Sequence, residues 1–202
     1  MKREILFVRL LFGCLALFGL GLNAADESID RERLLERVKK GGLVLYFRHA
    51  STEKDYADQI DADVNNGSTQ RVLSEKGWHE AVHIGRAFRY HNIPVGSVYS
   101  SQYFRAWQTA WLAFGKYEKC EALNFLPHAE FSKAQMETMK QRVSPFVCKV
   151  PLKGKNTVIV AHDDPFEAVT GIYPEPMGVC YIIEPKGRDG FKILGMIPPH
   201  LW

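Results

Sequence analysis

A short apolar segment that runs directly into two basic side chains constrains the fold more than any other part of the sequence. Residues 43–47 (Leu-Val-Leu-Tyr-Phe) are all apolar and follow two glycines. A run of this length without alternation is typical of a strand buried on both faces, as at the centre of an α/β sheet. Arg48 and His49 follow where this strand would end. Because ligands bind at the carboxyl ends of strands in open α/β sheets, both residues are candidates for a functional site.

The N-terminus has the pattern of a secretory signal. A basic start is followed by an apolar run at residues 10–22 and by small or polar residues, so we predict a signal peptide at 1–24, one domain at 25–202, and export to the periplasm. The apolar run is short for a membrane span, and we expect no stable membrane insertion after signal removal. An uncleaved anchor and a lipoprotein-type cleavage before Cys14 are the alternatives.

The overall charge gives no indication of a nucleic-acid partner. The net charge is +3, and residues 1–24 contain three of the 26 basic and one of the 23 acidic residues. The remaining chain therefore has a net charge of +1, so an anionic ligand would have to be bound by local cations. The sequence gives no indication of oligomeric state.

Three cysteines follow the predicted signal. In an oxidising compartment, one disulfide and one free thiol is the simplest arrangement. Cys180 lies in an apolar strand-like run, where a buried thiol is common, so we expect the disulfide between Cys120 and Cys148. No Cys/His spacing is typical of zinc, and we predict neither a metal nor a cofactor.

Alternating helix and strand patterns predict an α/β fold, a three-layer sandwich with a mostly parallel central sheet flanked by helices. Helices are predicted at residues 31–40, 75–90, 103–114, 132–143 and 166–170, strands at 43–47, 98–100, 157–161, 178–184 and 191–197, and a candidate strand at 122–126. Residues 50–72 are predicted to form a long polar loop, a kind of segment that is often functional. Its acidic residues do not fit a calcium loop, because Asn66 and Val72 replace the required Gly and Glu.

Polar residues follow three of the predicted strands. His49, Ser101 and His162 come directly after strands or at their ends, and Arg105 lies one helical turn beyond the second strand. If these strands are parallel neighbours, the side chains meet at one edge of the sheet. Guanidinium groups bind phosphate oxygens, a neutral imidazole is a nucleophile, and a helix N-terminus favours an anion. Each residue alone is more often structural than catalytic, but their shared placement predicts a phosphoryl-binding site.

The segments that carry these residues form an ordered set of motifs. They are Arg48-His49-Ala50 with Thr52, Leu73-Ser74-Glu75-Lys76-Gly77, Tyr99-Ser100-Ser101 with Arg105-Ala106 and Thr109-Ala110, and Val160-Ala161-His162-Asp163 with Pro165. This set resembles the histidine phosphatase superfamily, which has the phosphoglycerate-mutase-like fold, and the tail after Gly178 is similar to that of exported bacterial members. Ala50 and Ala161 stand where the family has, or often has, glycine.

The resemblance implies a metal-independent phosphomonoester hydrolase acting on a small phosphorylated substrate. His49 would attack phosphorus and form a phosphohistidine, while Arg48, Arg105 and His162 would hold the phosphoryl oxygens. Asp163 is the first candidate for the acid that protonates the leaving group, and Glu130 is the second. A phosphohistidine protein phosphatase is an alternative function, as is a binding protein for phosphorylated ligands with weak turnover.

Overall fold

A single six-stranded sheet organises the fold. The computed structural model describes residues 30–126 and 132–202, so the predicted signal and Glu130 lie outside the described residues. The strands are β1 (Val44–Arg48), β2 (Val95–Ser100), β3 (Glu118–Lys119), β4 (Asn156–Ala161), β5 (Cys180–Pro185) and β6 (Phe191–Ile197). Their order is β3-β2-β4-β1-β5-β6. The first four are mutually parallel, and β5 pairs antiparallel with both of its neighbours. The sheet is therefore mostly parallel, as predicted.

Helices cover both faces of the sheet. They are α1 at residues 30–40, α2 (Glu75–Tyr90), α3 (Phe104–Phe114), α4 (Lys133–Cys148) and α5 (Asp163–Thr170). Leu45 and Phe47 of β1 pack in one core cluster with residues of α1, α2 and α3. Val44 and Tyr46 pack in a second cluster with residues of α4 and α5. Because both faces of β1 are buried, its sequence shows no alternation, and the predicted three-layer α/β architecture is confirmed.

Close backbone contacts explain two glycines of α2. The helix begins after Ser74, whose hydroxyl accepts a hydrogen bond from the amide of Gly77. A Cβ atom at Gly77 would lie 1.9 Å from the carbonyl oxygen of Ser51, and one at Gly85 would lie 2.3 Å from that of Ala113. These glycines therefore let α2 pack against the loop after β1 and against α3.

Two predicted helix boundaries and one candidate strand differ from the structure. The helix α4 has the expected capping box of Ser132 and Gln135 but continues to Cys148, with Pro145 in its last turn. The helix α5 begins at Asp163 and not at residue 166, because Pro165 lies in its first turn, where a backbone N–H has no helical partner. The candidate strand at 122–126 is wrong, since Glu121–Leu123 forms a 3₁₀ turn after the short β3.

The predicted disulfide is also not formed. The three cysteines in the described part of the chain are free thiols. Cys120 and Cys148 both pack partly buried against the cluster beneath α4, and the Sγ of Cys120 contacts the carbonyl oxygen of Glu118 at 3.7 Å. Burial, with the charge of Glu118, raises the pKa of Cys120 to about 11, which keeps this thiol protonated. Cys180 is buried, as predicted.

Within the described residues, every helix is too short or too polar to cross a bilayer.

Candidate active site

The carboxyl ends of β1 and β4 bring two histidines together. The backbone N–H of His49 donates to Ala161 at 2.9 Å, and its carbonyl accepts from the amide of Gly178 at 2.9 Å. His162 follows β4 as the N-cap of α5. The ring centroids of His49 and His162 lie 5.5 Å apart, at an interplanar angle of 64°. Both side chains are almost completely buried, with 1% exposure.

Arg105 joins this pair from the first turn of α3. Its Nε donates to Nε2 of His49 at 3.2 Å. Arg48, the last residue of β1, is buried like Arg105, and its guanidinium reaches Asp163, next to His162, at 2.6 Å. The structure therefore places the four residues expected around a phosphoryl group at one edge of the sheet.

The hydrogen bonds of His49 define its tautomer. The Nδ1 atom lies 2.9 Å from the carbonyl oxygen of Ala50, which can only accept, so Nδ1 carries the hydrogen. The lone pair of Nε2 then faces the N–H of Arg105. Burial is the main cause that lowers the pKa of His49 well below its ordinary value, followed by the charges of Arg105, Arg48 and Arg71. His49 is thus held as a neutral imidazole, the form that acts as a nucleophile.

His162 has one hydrogen-bonded ring nitrogen and one without a partner. Its Nε2 lies 2.7 Å from the hydroxyl of Ser101, while Nδ1 is buried and has no hydrogen-bond partner among the described residues. Burial and then the charge of Arg105 lower its pKa well below the ordinary value. His162 can therefore offer Nδ1 to a bound group.

Each of the two arginines that we expect to bind phosphate has a carboxylate partner. Asp163 forms an ion pair with Arg48 and accepts a hydrogen bond, at 2.7 Å, from the hydroxyl of Tyr173. Asp58 accepts from Nη1 of Arg105 at 2.8 Å and from the backbone amide of Arg71 at 2.8 Å. Asp163 thus lies beside the site, as a leaving-group acid must. Asp58 enters the site from the long loop at 50–72, where no motif marked it.

Arg71 adds a third guanidinium that the sequence did not indicate. Its Nε is buried without a hydrogen-bond partner in the described part of the chain. Its charge is the smallest of the contributions that lower the pKa values of both His49 and His162. Among the described residues, the other two guanidinium groups, unlike Arg71, are paired with carboxylates.

Two aromatic rings wall one side of the site. The rings of Tyr103 and Phe125 lie 5.4 and 4.8 Å from that of His162. The guanidinium of Arg105 lies 5.2 Å from each of the two ring centroids, a distance at which cation–π attraction operates. These rings restrict the position of Arg105 and exclude water from His162.

The loop after β1 is fixed by side chains of α2 and α3. The amide of Ser51 donates to Glu80 at 2.9 Å, and that of Ala50 donates to the hydroxyl of Thr109 at 3.1 Å. The side chain of Ala50 is fully buried, so this position accommodates a methyl group.

The described residues contain no group of three or more His, Cys, Asp or Glu side chains arranged to hold a metal ion. The charges available at the site are those of guanidinium, imidazole and carboxylate groups. Such a set can bind an anion and provide a nucleophile.

Comparison with known proteins identifies the fold. No family model matches the sequence, and no curated protein matches it. Among solved structures, the protein histidine phosphatase SixA complexed with tungstate is 13% identical, with a TM-score of 0.54 over 78% of this chain and 97% of that one.

Two further structures are similar to the same extent. A phosphoserine phosphatase from Entamoeba histolytica is 14% identical, with a TM-score of 0.58 over 79% of this chain and 99% of that one. A mycobacterial glucosyl-3-phosphoglycerate phosphatase is 15% identical, with a TM-score of 0.55 over 76% and 97%. These similarities show a shared fold, and the chain has the phosphoglycerate-mutase-like α/β architecture.

Proposed function

We propose that this protein is a metal-independent phosphomonoester hydrolase that acts through a phosphohistidine on His49. The observation that carries the proposal is the state of His49, a buried neutral imidazole whose Nε2 lone pair faces Arg105. The fold shared with structures of phosphatases supports it.

The proposed reaction has two steps. The Nε2 lone pair of His49 attacks phosphorus, the bond between phosphorus and the leaving oxygen breaks, and the leaving group takes a proton. Water then attacks phosphorus and gives one proton to the carboxylate that protonated the leaving group, while the bond between phosphorus and Nε2 breaks, which releases phosphate and restores both His49 and the acid. Arg48, Arg105 and His162 bind the phosphoryl oxygens and stabilise the charge of the transition state. In the first step, Arg105 exchanges its contact with Nε2 for a contact with a phosphoryl oxygen.

Asp163 is the proposed proton donor to the leaving group, with Glu130 as the second candidate. The position of Asp163 beside Arg48 supports its assignment. Its Oδ2 already contacts the guanidinium of Arg48 and accepts from the hydroxyl of Tyr173, so the proton must be carried at the other oxygen. Because only one carboxyl oxygen of Asp163 can then deliver a proton, the site favours substrates whose leaving groups need little protonation.

The substrate we propose is a small phosphorylated molecule. The similar structures include enzymes named for a phosphorylated histidine, for phosphoserine and for a phosphorylated sugar acid, so the fold does not select among these classes. A phosphohistidine protein phosphatase is the second candidate, because the imidazole of a phosphohistidine leaves phosphorus more readily than an alkoxide does and the hydrogen-bonded Asp163 would then suffice. The pattern of residues 1–24 supports export to the periplasm as part of the proposal.

Hydrolysis of p-nitrophenyl phosphate in EDTA tests the function. We expect His49→Ala to lower the rate about a thousandfold or more, because it removes the nucleophile. His79→Ala is the matched control, since this histidine is exposed on α2. Acid-labile phosphate trapped on the wild-type protein and absent from His49→Ala would establish the intermediate. Equal rates for the wild type and His49→Ala would refute the proposal.

The same assay with two leaving groups tests the proton donor. We expect Asp163→Asn to slow hydrolysis of an alkyl phosphate about a hundredfold but to slow an aryl phosphate much less, because the aryl oxide is stable without a proton. Glu130→Gln is measured beside it. If only Glu130→Gln gives this difference, Glu130 is the acid and the assignment of Asp163 is wrong.

A further inference from the structure

Three side chains, of which Ser101 and His162 are buried and Asn124 is half-buried, form a hydrogen-bonded chain that ends at His162. The hydroxyl of Ser101 lies 2.7 Å from Nε2 of His162 and 2.9 Å from Oδ1 of Asn124. Ser101 directly follows β2, and Asn124 follows the 3₁₀ turn after β3. The chain thus links the segment beyond β3 to the imidazole opposite the nucleophile.

The partners of Asn124 determine which atom donates in each hydrogen bond among Asn124, Ser101 and His162. Its Oδ1 accepts from the backbone amide of Gln102 at 2.9 Å, and its Nδ2 donates to Oε1 of Gln102 at 2.9 Å. Oδ1 is therefore an acceptor, and the single hydrogen of the Ser101 hydroxyl must point to it. The Ser101 oxygen also accepts from the amide of Tyr103 at 3.2 Å. Since that hydroxyl has no second hydrogen, its contact with His162 requires that Nε2 of His162 be the donor.

We propose that Ser101 and Asn124 are positioning residues that hold His162 with its hydrogen on Nε2 and with Nδ1 available to a phosphoryl oxygen. The unpartnered, buried state of Nδ1 in the described structure is the independent observation that assigns this atom to a ligand. The catalytic part of the inference rests on the proposed function, whereas the tautomer does not.

The arrangement lets His162 act without turning its ring. When His162 gains a proton at Nδ1, the imidazolium donates from Nε2 to Ser101 and from Nδ1 to the phosphoryl oxygen. A bound phosphate dianion favours protonation of Nδ1, whereas the charges of Arg105 and Arg48 disfavour it. Without the Asn124 oxygen, the Ser101 hydroxyl can turn and donate to Nε2, and the hydrogen of neutral His162 then moves to Nδ1.

Nitrogen-15 NMR of the histidine rings in the purified protein tests the tautomer without any substrate. We expect neutral His162 of the wild type to carry its hydrogen on Nε2, with His162→Gln used to assign the signals. Ser101→Ala and Asn124→Ala should shift the population toward the Nδ1–H form or give a mixture, and Ser101→Thr should restore the wild-type pattern. A wild-type signal with the hydrogen on Nδ1 would overturn the proposal.

Ser100→Ala is the matched control. Ser100 is a buried serine beside Ser101, and its hydroxyl donates to the carbonyl oxygen of Ser101 at 2.9 Å. We expect this variant to keep the wild-type tautomer of His162. A tautomer change of equal size in Ser100→Ala and Ser101→Ala would show a general disturbance of the strand and would overturn the positioning role.

Steady-state kinetics and vanadate inhibition test the catalytic consequence. Ser101→Ala should lower kcat about 10- to 100-fold, the effect of a misplaced hydrogen bond to a charged group. It should also weaken inhibition by vanadate, whereas Ser100→Ala should do neither. An unchanged kcat in Ser101→Ala would contradict the catalytic role. If His49→Ala retained full activity, the proposed function would fail, while the NMR result would still decide the tautomer.

Discussion

Arg71 differs from the other two arginines of the site in its partners. Arg48 is paired with Asp163 and Arg105 with Asp58. The described residues provide no ion pair for Arg71, and its Nε is buried without a hydrogen bond. A buried N–H group without a hydrogen-bond partner is unfavourable. We therefore expect Arg71 to bind an anionic oxygen of the substrate.

Substitution of Arg71 should weaken binding more than it slows the chemical step. We expect Arg71→Gln to raise KM for p-nitrophenyl phosphate, and the inhibition constant for vanadate, about tenfold, as for the loss of one charge-assisted hydrogen bond. Arg71→Lys should recover part of this loss because it keeps the charge. Arg86→Gln, on the exposed face of α2, is the control. An unchanged inhibition constant in Arg71→Gln would exclude this role.

At the scale of elements, α2 reaches the site through backbone contact. Gly77 approaches the carbonyl of Ser51 in the loop that follows His49, and Gly85 approaches that of Ala113 in α3. A methyl group at either position requires a backbone shift. Both contacts are made by α2, but only that of Gly77 involves the loop that follows His49.

The variants Gly77→Ala and Gly85→Ala should therefore differ in activity. Both should lower the free energy of unfolding by about 2 kcal/mol or more, the range for forced repacking of a close contact. Gly77→Ala should also reduce kcat of the folded protein, because Ser51 and the adjoining His49 must move, whereas Gly85→Ala should retain it. Urea unfolding and kinetics at a temperature where both variants are folded make the comparison. Equal kcat values in the two variants would contradict this coupling.

The sequence predicted the elements because helical periodicity and unbroken apolar runs both indicate burial. It predicted the four central residues because they lie at or shortly after the predicted strand ends. A strand buried on both faces ends where its apolar run stops. Arg48, His49 and His162 lie at or directly after such ends. Asp58, Arg71, Asn124 and Phe125 were not predicted as site residues, because they lie on loops whose paths depend on tertiary contacts. Asp58 reaches Arg105 across 47 residues, and no local pattern encodes that approach.

At the scale of the whole molecule, the two buried histidines make stability depend on pH. Burial lowers the pKa values of His49 and His162 well below the ordinary 6.5. In the unfolded chain both rings take up protons near pH 6.5, whereas in the folded chain they do not. Their contribution is thus fully present above about pH 7 and is lost as pH falls through the lowered values. Asp164 acts in the opposite sense, since burial and then the charge of Asp163 raise its pKa to about 6.

The free energy of unfolding should therefore fall by about 2 kcal/mol between pH 7.5 and 5.5, since the two histidines together outweigh Asp164. Urea titrations at both values measure the change. In His162→Gln the decrease should be smaller by about 1 kcal/mol, because one buried imidazole is gone. A variant in which His79, exposed on α2, is replaced by Gln should keep the wild-type decrease. A decrease that is the same in all three proteins would show that other groups control it.

The position of β1 between β4 and β5 makes the site assemble late in folding. The nucleophile's strand lies early in the chain, but its neighbours on both sides come late, and 116 residues separate Tyr46 from the His162 carbonyl that it contacts. Pairings of such long range form slowly. A chain still emerging from the ribosome thus has the histidine but not the neighbouring strands that hold it. During refolding, catalytic competence should appear only with the final closure of the sheet, so the chain acquires its reactivity last.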